Sequence, residues 1–332
     1  MQSRAARVAV GSPVSLAAGL LLALGSLSVA LLLVESGLRL EHFEYHLMPS
    51  VQFGWPDPQT IRTTYADDPD VFWVTRDYRD KLRAARHTHP AVIFMGDSCT
   101  EFGTYPSRTI QMLSAAHAPL ATGVHLAAGG WSSEQGLVQL ERDVIPLHPK
   151  VVVIYYGWND HWMALGPTDE DLHAAHRFLW LADHVRLMQL ALKARMGLAL
   201  RRAHPYRVPP DRYRHNIEAM ARLAEARGIV PVFVTAPSNY VAGHEPEYLL
   251  QRHVTRLADV IPLHQRYVQI TREAAQAAGG VVCDAAATFD SLPPPHDVYF
   301  KADAIHFTPA GDEELAQVVS ACVLRAAGTH AG

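Results

Sequence analysis

Five short apolar runs alternate with helix-type segments from residue 91 onward, and this alternation restricts the fold more than any other feature. The runs lie at approximately residues 91–96, 123–128, 150–156, 229–235 and 280–284. They carry almost no charge, which is typical of strands that are buried on both faces. The predicted helices include 212–227, 246–278 and 309–326. Alternating strands and helices predict an α/β domain with a parallel sheet that is covered by helices on both faces.

A serine follows the first of these runs. Gly96-Asp97-Ser98-Cys99-Thr100 comes directly after Ala91–Met95, and a helical segment containing Ile110–Leu113 comes next. A hydroxyl at this place lies at the carboxyl edge of the sheet and near a helix N-terminus, where a developing negative charge is stabilised. Taken alone, the pentapeptide also fits a turn in which Ser98 only caps the next helix.

Three further segments contain the groups that acyl chemistry on a serine requires. Asp303-Ala304-Ile305-His306 offers a histidine base and a carboxylate to orient it. Gly157-Trp158-Asn159-Asp160 follows the strand-like run 151–156 and offers an amide donor. Gly129-Gly130-Trp131-Ser132-Ser133 follows residues 123–128, and a glycine there lets a backbone N–H approach a bound oxygen closely. Each residue also has an ordinary structural explanation, but together they predict a catalytic site.

These four blocks, in this order, resemble those of the SGNH (GDSL-type) hydrolases. The resemblance covers roughly residues 91–324 and implies a three-layer α/β/α fold with a parallel, flavodoxin-like sheet of strand order 2-1-3-4-5. It implies Ser98 as nucleophile, His306 as base and Asp303 as the residue that orients His306. It also implies an oxyanion hole made by the N–H groups of Ser98 and Gly130 and the side chain of Asn159.

One residue of the motif departs from the family pattern. Cys99 stands where leucine, isoleucine or phenylalanine is more usual. We expect Cys99 to pack behind the nucleophile and to leave the chemistry intact.

Other chemistries have little support in the sequence. The Gly-x-Ser-x-Gly elbow, the phosphate-binding loop and the dinucleotide-binding fingerprint are all missing from it. Glu170, Asp171, His173 and His176 suggest a metal site, but their spacing fits no familiar one and favours the polar face of a surface helix. We therefore expect no metal or other cofactor. A net charge of −4 gives no electrostatic support for a nucleic-acid partner.

The N-terminal region contains an apolar run of 21 residues without charge, from Val14 to Val34. As a helix it would extend about 30 Å, enough to cross the hydrocarbon core of a bilayer. Charged residues flank it: Arg4 and Arg7 before it, and Glu35, Arg39 and Glu41 after it. The positive-inside rule then predicts a cytoplasmic N-terminus and an extracytoplasmic remainder. An uncleaved signal anchor is favoured over a cleaved signal peptide, because the run is long and no small-x-small site follows it. A buried helix of a soluble protein is the third alternative.

These features give an expected organisation of the whole chain. The expected segments are a cytoplasmic N-terminus at 1–13, a transmembrane anchor at 14–34, a juxtamembrane lead-in at 35–90, a catalytic domain at 91–326 with an insertion at about 161–210, and a tail at 327–332. In the lead-in, Trp55-Pro56-Asp57-Pro58 predicts a turn and Val71–Val74 a possible edge strand.

The insertion contains a segment with the pattern of a basic amphipathic helix. Its apolar stripe consists of Leu181, Val185, Met188, Leu192 and Met196. Its basic residues are Arg186, Lys193, Arg195, Arg201, Arg202 and Arg207, against the single acid Asp183. Such a helix could contact a membrane surface or an anionic substrate. The alternative of a helix packed on the domain, with its arginines in solvent, is slightly favoured.

The predicted function is that of a membrane-anchored serine esterase or acyltransferase. We expect it in the plasma (inner) membrane as a single-pass protein, with its catalytic domain on the periplasmic or extracytoplasmic side. The leading substrate is a small O-acyl group on a cell-envelope glycan, and a lipid ester is the second. A non-catalytic envelope scaffold is the alternative of another class, which the intact Ser98, Asp303 and His306 argue against. The three cysteines, Cys99, Cys283 and Cys322, do not identify the compartment.

Overall fold

Two compact units make up the chain. The first combines Met1–Leu47 with Arg177–Gly197, and the second combines Met48–His176 with Leu198–Gly332. The computed structural model describes residues 13–45, 63–164, 168–176, 181, 184–199 and 206–329. The predicted Trp55–Pro58 turn lies outside the described residues, as do both chain ends, Arg201 and Arg202.

The strands and helices follow the alternation that the sequence predicts. The strands are β1 (Tyr65–Asp68), β2 (Phe72–Thr75), β3 (Val92–Gly96), β4 (Gly123–Ala127), β5 (Val151–Tyr155), β6 (Val230–Val234) and β7 (Val281–Cys283). The α-helices are α1 (Pro13–Leu40), α2 (Tyr78–Thr88), α3 (Ser98–Glu101), α4 (Tyr105–Ala115), α5 (Ser133–Gln139), α6 (Asp169–His176), α7 (Arg186–Ala199), α8 (Pro210–Glu225), α9 (Leu249–Arg252), α10 (Val260–Ala277), α11 (Ala285–Asp290) and α12 (Pro309–Thr329).

The second unit is built on a five-stranded parallel sheet with the order β4-β3-β5-β6-β7. This is the order 2-1-3-4-5 that the family resemblance implies, and it confirms the predicted fold class. Strands β3, β5 and β6 are buried along their whole length. Helices cover the sheet, with α4 packed against α12 and α8 against α10. Burial on both faces explains why these strands are continuous apolar runs without alternation.

The register of the sheet brings the ends of three strands together. Gly96, the last residue of β3, lies between Ala127 of β4 and Tyr155 of β5. The loops that follow these strands therefore leave the sheet side by side. Those loops contain Ser98, Gly130 and Asn159. They lie at the carboxyl edge of the sheet, which is where open α/β sheets bind ligands.

The possible edge strand predicted at Val71–Val74 is observed as β2, which pairs antiparallel with β1 in a two-stranded sheet of its own. The hairpin forms because Asp68 Oδ1 accepts hydrogen bonds from the N–H groups of Asp70 and Val71 and closes the turn.

The predicted helix 246–278 is interrupted. It divides into α9 and α10, which are separated by a turn and a short 3₁₀ segment at Leu257–Asp259. The break buries Val254 and brings the Arg256 guanidinium to 2.7 Å from the Asp259 carboxylate. Local periodicity did not predict the break, because both flanking segments have helical spacing.

The three cysteines have different states. Cys283, at the end of β7, forms a disulfide with Cys322 in α12. Cys99 is free and buried, with its Sγ 3.9 Å from the carbonyl oxygen of Ile305.

The first unit consists of α1 and the described part of residues 177–197. Helix α1 contains one stretch, Ala17–Leu40, that is long and apolar enough to cross a membrane, and the stretch is not buried in the protein. By length and composition, this helix fits a membrane span or a signal sequence.

Candidate active site

Ser98, His306 and Asp303 form a continuous hydrogen-bonded chain. His306 Nδ1 lies 2.8 Å from Asp303 Oδ2, and His306 Nε2 lies 2.8 Å from Ser98 Oγ. A carboxylate can only accept, so Nδ1 carries the proton and donates it to Asp303. Nε2 then accepts from the Ser98 hydroxyl, which is the arrangement that a general base requires.

The loop between α11 and α12 fixes Asp303 in place. Asp303 Oδ1 accepts hydrogen bonds from the N–H groups of Ile305 at 2.9 Å and His306 at 2.8 Å. Between them, Ala304 adopts the left-handed conformation with φ of 61°, which a non-glycine residue rarely does. Partial burial raises the pKa of Asp303, but the hydrogen bonds from His306 and Ile305 outweigh it and bring the pKa down to about 2.

Asp97, and not Ser98, caps α3, the helix that begins at Ser98. The Asp97 carboxylate accepts a hydrogen bond from the N–H of Cys99 at 3.0 Å. Ser98 therefore does not cap this helix, although its position in the sequence also allowed that role. The turn needs glycine at position 96, because a Cβ there would lie 2.1 Å from Thr100 Oγ1 and 2.9 Å from the Tyr155 carbonyl oxygen.

The predicted oxyanion donors lie around this serine. Gly130 has a φ of 83°, which favours glycine, and it turns the loop between β4 and α5. Within the described ranges, neither the Ser98 N–H nor the Gly130 N–H has a hydrogen-bond acceptor. Both are thus available to a bound oxygen.

Asn159 connects the loop that contains Ser98 with the loop that contains Gly130, but its side-chain amide already donates two hydrogen bonds. Asn159 Nδ2 donates to Asp97 Oδ2 at 3.2 Å and to the carbonyl oxygen of Trp131 at 3.0 Å. It therefore connects the residue before Ser98 with the residue after Gly130. An amide has two protons to donate, and both have acceptors here.

A family model described as the GDSL-like lipase/acylhydrolase family matches residues 94–313, which is well over half of the chain. The matched range contains Ser98, Gly130, Asn159, Asp303 and His306. The chain belongs to this GDSL-like family. It is accordingly a hydrolase of ester bonds.

Solved structures similar to this GDSL-like chain include three bacterial proteins. A lipase/acylhydrolase from Enterococcus faecalis is 17% identical, with 69% of this chain and 93% of that chain covered and a TM-score of 0.47. A putative GDSL-like lipase from Parabacteroides merdae is 16% identical, with 70% of this chain and 94% of that chain covered and a TM-score of 0.49. A variant of an acetyl xylan esterase from Geobacillus stearothermophilus is 17% identical, with 71% of this chain and 93% of that chain covered and a TM-score of 0.43. No curated protein matches the sequence significantly.

Two residues that were not predicted from the sequence, Glu101 and Trp73, hold the loop that contains Gly129 and Gly130. The Glu101 carboxylate accepts hydrogen bonds from the Gly129 N–H and from the Tyr65 hydroxyl. The indole N–H of Trp73 donates to the Gly129 carbonyl oxygen at 2.9 Å. Neither residue belongs to a motif, so only their three-dimensional positions show the role.

A buried ion pair holds the other side of the same loop. The side chains of Arg207 and Asp169 are fully buried and lie 2.7 Å apart. Arg207 also donates to the Gly130 carbonyl oxygen at 2.9 Å, and the Ser132 hydroxyl donates to Asp169 at 2.8 Å. The prediction that Arg207 belongs with the basic residues of an amphipathic helix is wrong, because Arg207 lies outside α7 and pairs with the buried Asp169.

Two further buried carboxyl groups lie behind the site. Burial raises the pKa of Asp97 to about 6 and that of Asp160 to about 7. Asp160 accepts hydrogen bonds from the N–H groups of Ser133 at 2.9 Å and Gly157 at 3.1 Å. Asp160 thus joins the loop after β5 to the start of α5.

The side chains of His306 and Asp303 are partly open to solvent. The side chain of His306 is 25% exposed and that of Asp303 is 34% exposed. Phe102, at the end of α3, is 56% exposed, and its ring centroid lies 6.2 Å from that of His306. An exposed apolar ring therefore lies beside His306.

The described residues contain no group of three or more histidine, cysteine or acidic side chains that could hold a metal ion. His173, one of the residues that suggested a metal site in the sequence, belongs to no such group among the described side chains.

Proposed function

We propose that this protein is a serine esterase in which Ser98, His306 and Asp303 carry the reaction. Ser98 Oγ attacks the ester carbonyl while His306 Nε2 takes its proton, and Asp303 stabilises the imidazolium that forms. His306 then protonates the leaving alcohol. Water or a second alcohol releases the acyl group from Ser98. The observation that carries this proposal is the pair of 2.8 Å distances that link the three residues.

The oxyanion that forms at the carbonyl needs donors that are already in place. The N–H groups of Ser98 and Gly130 are the first two that we propose, because they have no acceptor in the described part of the chain. Asn159 is the third. Its amide would exchange the longer of its two hydrogen bonds, the 3.2 Å bond to Asp97, for the oxyanion.

The proposed location is the extracytoplasmic side of the plasma (inner) membrane. The apolar helix α1, with arginines before it, supports a single span with the catalytic domain on the far side. The disulfide between Cys283 and Cys322 supports an oxidising compartment, because such bonds persist outside the cytosol.

The proposed substrate is a small O-acyl group on a cell-envelope glycan. The location supports it, since such glycans lie where the catalytic domain would be. The exposure of His306 and Asp303 also supports it, because a polymer can reach only a reacting group that is close to the surface. Hydrolysis and acyl transfer use the same residues until the release step, so transfer to a second glycan hydroxyl belongs to the same proposal.

One observation favours a lipid ester as the second candidate. Phe102 presents an exposed apolar ring next to His306, and an acyl chain could lie along it. A lipase or lysophospholipase activity would also fit a protein that is anchored in a membrane.

The test uses full-length protein in detergent micelles with p-nitrophenyl acetate as the ester. We expect Ser98→Ala to lose nearly all activity, whereas the matched control Ser107→Ala, an exposed serine in α4, keeps it. Equal rates for wild type and Ser98→Ala would contradict the serine mechanism, and no hydrolysis above the uncatalysed rate by either protein would favour the non-catalytic scaffold. Release of acetate from an O-acetylated glycan, compared with hydrolysis of p-nitrophenyl octanoate, distinguishes the two substrate classes.

A further inference from the structure

Helix α7 is capped by a residue that directly follows the apolar run of α1. Glu35 comes one position after Val34, the last residue of that run. Its carboxylate accepts hydrogen bonds from the backbone N–H groups of Arg186 at 3.1 Å and Leu187 at 2.7 Å, the first two residues of α7. A carboxylate at this place satisfies N–H groups that have no partner within the helix and complements the helix dipole.

Further contacts within the first unit strengthen this connection. Arg39 donates to Glu35 at 2.8 Å and to the His184 carbonyl oxygen at 2.6 Å. Arg186 forms an ion pair with Glu44 at 2.6 Å. The ammonium group of Lys193 lies 5.4 Å from the centroid of the Phe43 ring, within the range of a cation–π contact. These contacts hold α7 against the end of α1 from Glu35 to Glu44.

If α1 spans the bilayer, this connection fixes the depth of α7. The hydrocarbon core then ends near Val34, because Glu35 and the charged residues after it belong in the polar interface. The first two residues of α7 are hydrogen-bonded to the Glu35 carboxylate. It must therefore lie within a few ångströms of the headgroup layer.

The outward face of α7 has the pattern of a helix that lies in such a layer. Leu190 and Leu198 are exposed, at 39% and 62%, and the exposed Ala194 lies between them at four-residue spacing. These three residues form one apolar stripe along the helix. Lys193 and Arg195 are exposed beside the stripe, whereas Gln189 and Leu192 are buried on the other side.

We propose that α7 binds the surface of the same membrane, with its leucine stripe at the acyl-chain boundary and its basic residues on anionic phospholipid headgroups. This inference rests on the proposed membrane span. An apolar stripe bordered by basic residues is the composition that interfacial helices use. The lipid surface is the expected occupant, because the hydrogen bonds to Glu35 bring α7 to it whenever α1 is inserted.

The test measures depth with a fluorescent label in full-length protein that is reconstituted into vesicles of phosphatidylcholine and phosphatidylglycerol. Single cysteines are introduced by Leu190→Cys in the stripe, by Leu27→Cys in the proposed span and by Arg227→Cys at an exposed turn of the second unit. The native thiols do not compete, because Cys99 is buried and the other two form a disulfide. Quenching by nitroxide lipids reports which labels reach the membrane.

We expect the label at position 190 to be quenched by nitroxides near the glycerol backbone at least about twofold more than the label at position 227. The label at position 27 should be quenched by nitroxides near the bilayer centre. Quenching at 27 with equal values at 190 and 227 would overturn the inference and leave the span intact. No quenching at 27 would overturn both the span and the inference.

A second variant tests the basic residues. Lys193→Gln together with Arg195→Gln should lower quenching at position 190 in vesicles that contain phosphatidylglycerol, because an anionic surface attracts nearby cationic side chains. In pure phosphatidylcholine the same variant should match the parent. An unchanged value in both kinds of vesicle would overturn the proposed role of the anionic headgroups.

Discussion

The indole N–H of Trp73 donates a 2.9 Å hydrogen bond to the carbonyl oxygen of Gly129, the residue before the proposed oxyanion donor Gly130. The indole of Trp131 returns a 2.9 Å bond to the Trp73 carbonyl oxygen. Trp73 belongs to β2 and lies before residue 94, where the match to the family model begins. The β1–β2 hairpin thus supports the loop that contains the proposed oxyanion donor Gly130.

Trp73→Phe removes this bond but keeps a large buried aromatic ring. We expect kcat with p-nitrophenyl acetate to fall about tenfold, because the Gly129 carbonyl loses its donor and the loop loses its fixed position. KM should stay within about twofold, since the ground-state ester makes little use of the oxyanion hole. Trp162→Phe is the matched control, as its indole is equally buried but packs against His161 and His253. A similar fall in kcat for the control would show a general packing effect.

Asn159→Ala tests the third oxyanion donor. We expect a fall in kcat of about 100-fold, which is the size found when one such donor is removed. The control is Asn216→Ala, because Asn216 is also a buried asparagine and donates to Ser133 and Glu134 away from Ser98. Single-turnover kinetics and the thermal midpoint should be measured for both variants. If both lose kcat and stability in the same proportion, Asn159 acts only as a structural link between Asp97 and Trp131.

The Asp303 carboxylate gives a prediction with a defined pH dependence. Its pKa is about 2, below the ordinary value of 3.8, so its stabilising effect is present above about pH 4 and is lost as the pH falls through about 2. The difference in thermal midpoint between wild type and Asp303→Asn should therefore be constant above pH 4 and shrink below it. The loss of kcat in this variant should be about 10²-fold or more at every pH between 6 and 8. A difference in thermal midpoint that stays the same from pH 6 down to pH 2 would contradict the lowered pKa of Asp303.

Local patterns predicted the parts of this protein that depend on neighbouring residues. Strands β3 to β7 are apolar runs, and their observed ends differ from the predicted ends by one residue at most. Ser98, Asp303 and His306 lie in short motifs, so the sequence singled out the three residues that hydrogen bonds link in the structure, and the family resemblance implied their roles. The order of the strands came from the family resemblance.

The parts that the sequence did not predict are contacts between distant residues of ordinary type. The Arg207–Asp169 pair and the Trp73–Gly129 bond join positions that are 38 and 56 residues apart. No periodicity or motif links such positions, because their pairing is decided by the packing of the whole unit. The break between α9 and α10 belongs to the same class, since burial of Val254 outweighs a helical pattern there.

Asp160 gives a second pH prediction, of opposite sign. In the unfolded chain its carboxyl group ionises near pH 3.8, whereas burial holds its pKa at about 7 in the folded protein. The folded state therefore binds more protons between these values, and stability falls as the pH rises from about 4 to about 7. Asp160→Asn lowers stability at pH 5 by removing a hydrogen-bond acceptor, and the gap to wild type should narrow at pH 8. Urea unfolding at pH 5 and pH 8 measures the difference in unfolding free energy between wild type and Asp160→Asn. An equal difference at the two pH values would contradict the raised pKa of Asp160.

Phe102 is the side chain with which the structure can separate the two substrate candidates. Phe102→Ala removes the exposed ring beside His306, and Leu324→Ala removes an exposed apolar side chain near the end of α12. If a sugar ring packs on Phe102, kcat/KM on the O-acetylated glycan should fall about fivefold, the effect of losing one aromatic contact of about 1 kcal/mol. p-Nitrophenyl acetate should change by less than about twofold, because it has no sugar to lose. A fall confined to p-nitrophenyl octanoate would favour the lipid ester, because each methylene that leaves the ring forfeits up to about 0.8 kcal/mol of apolar burial.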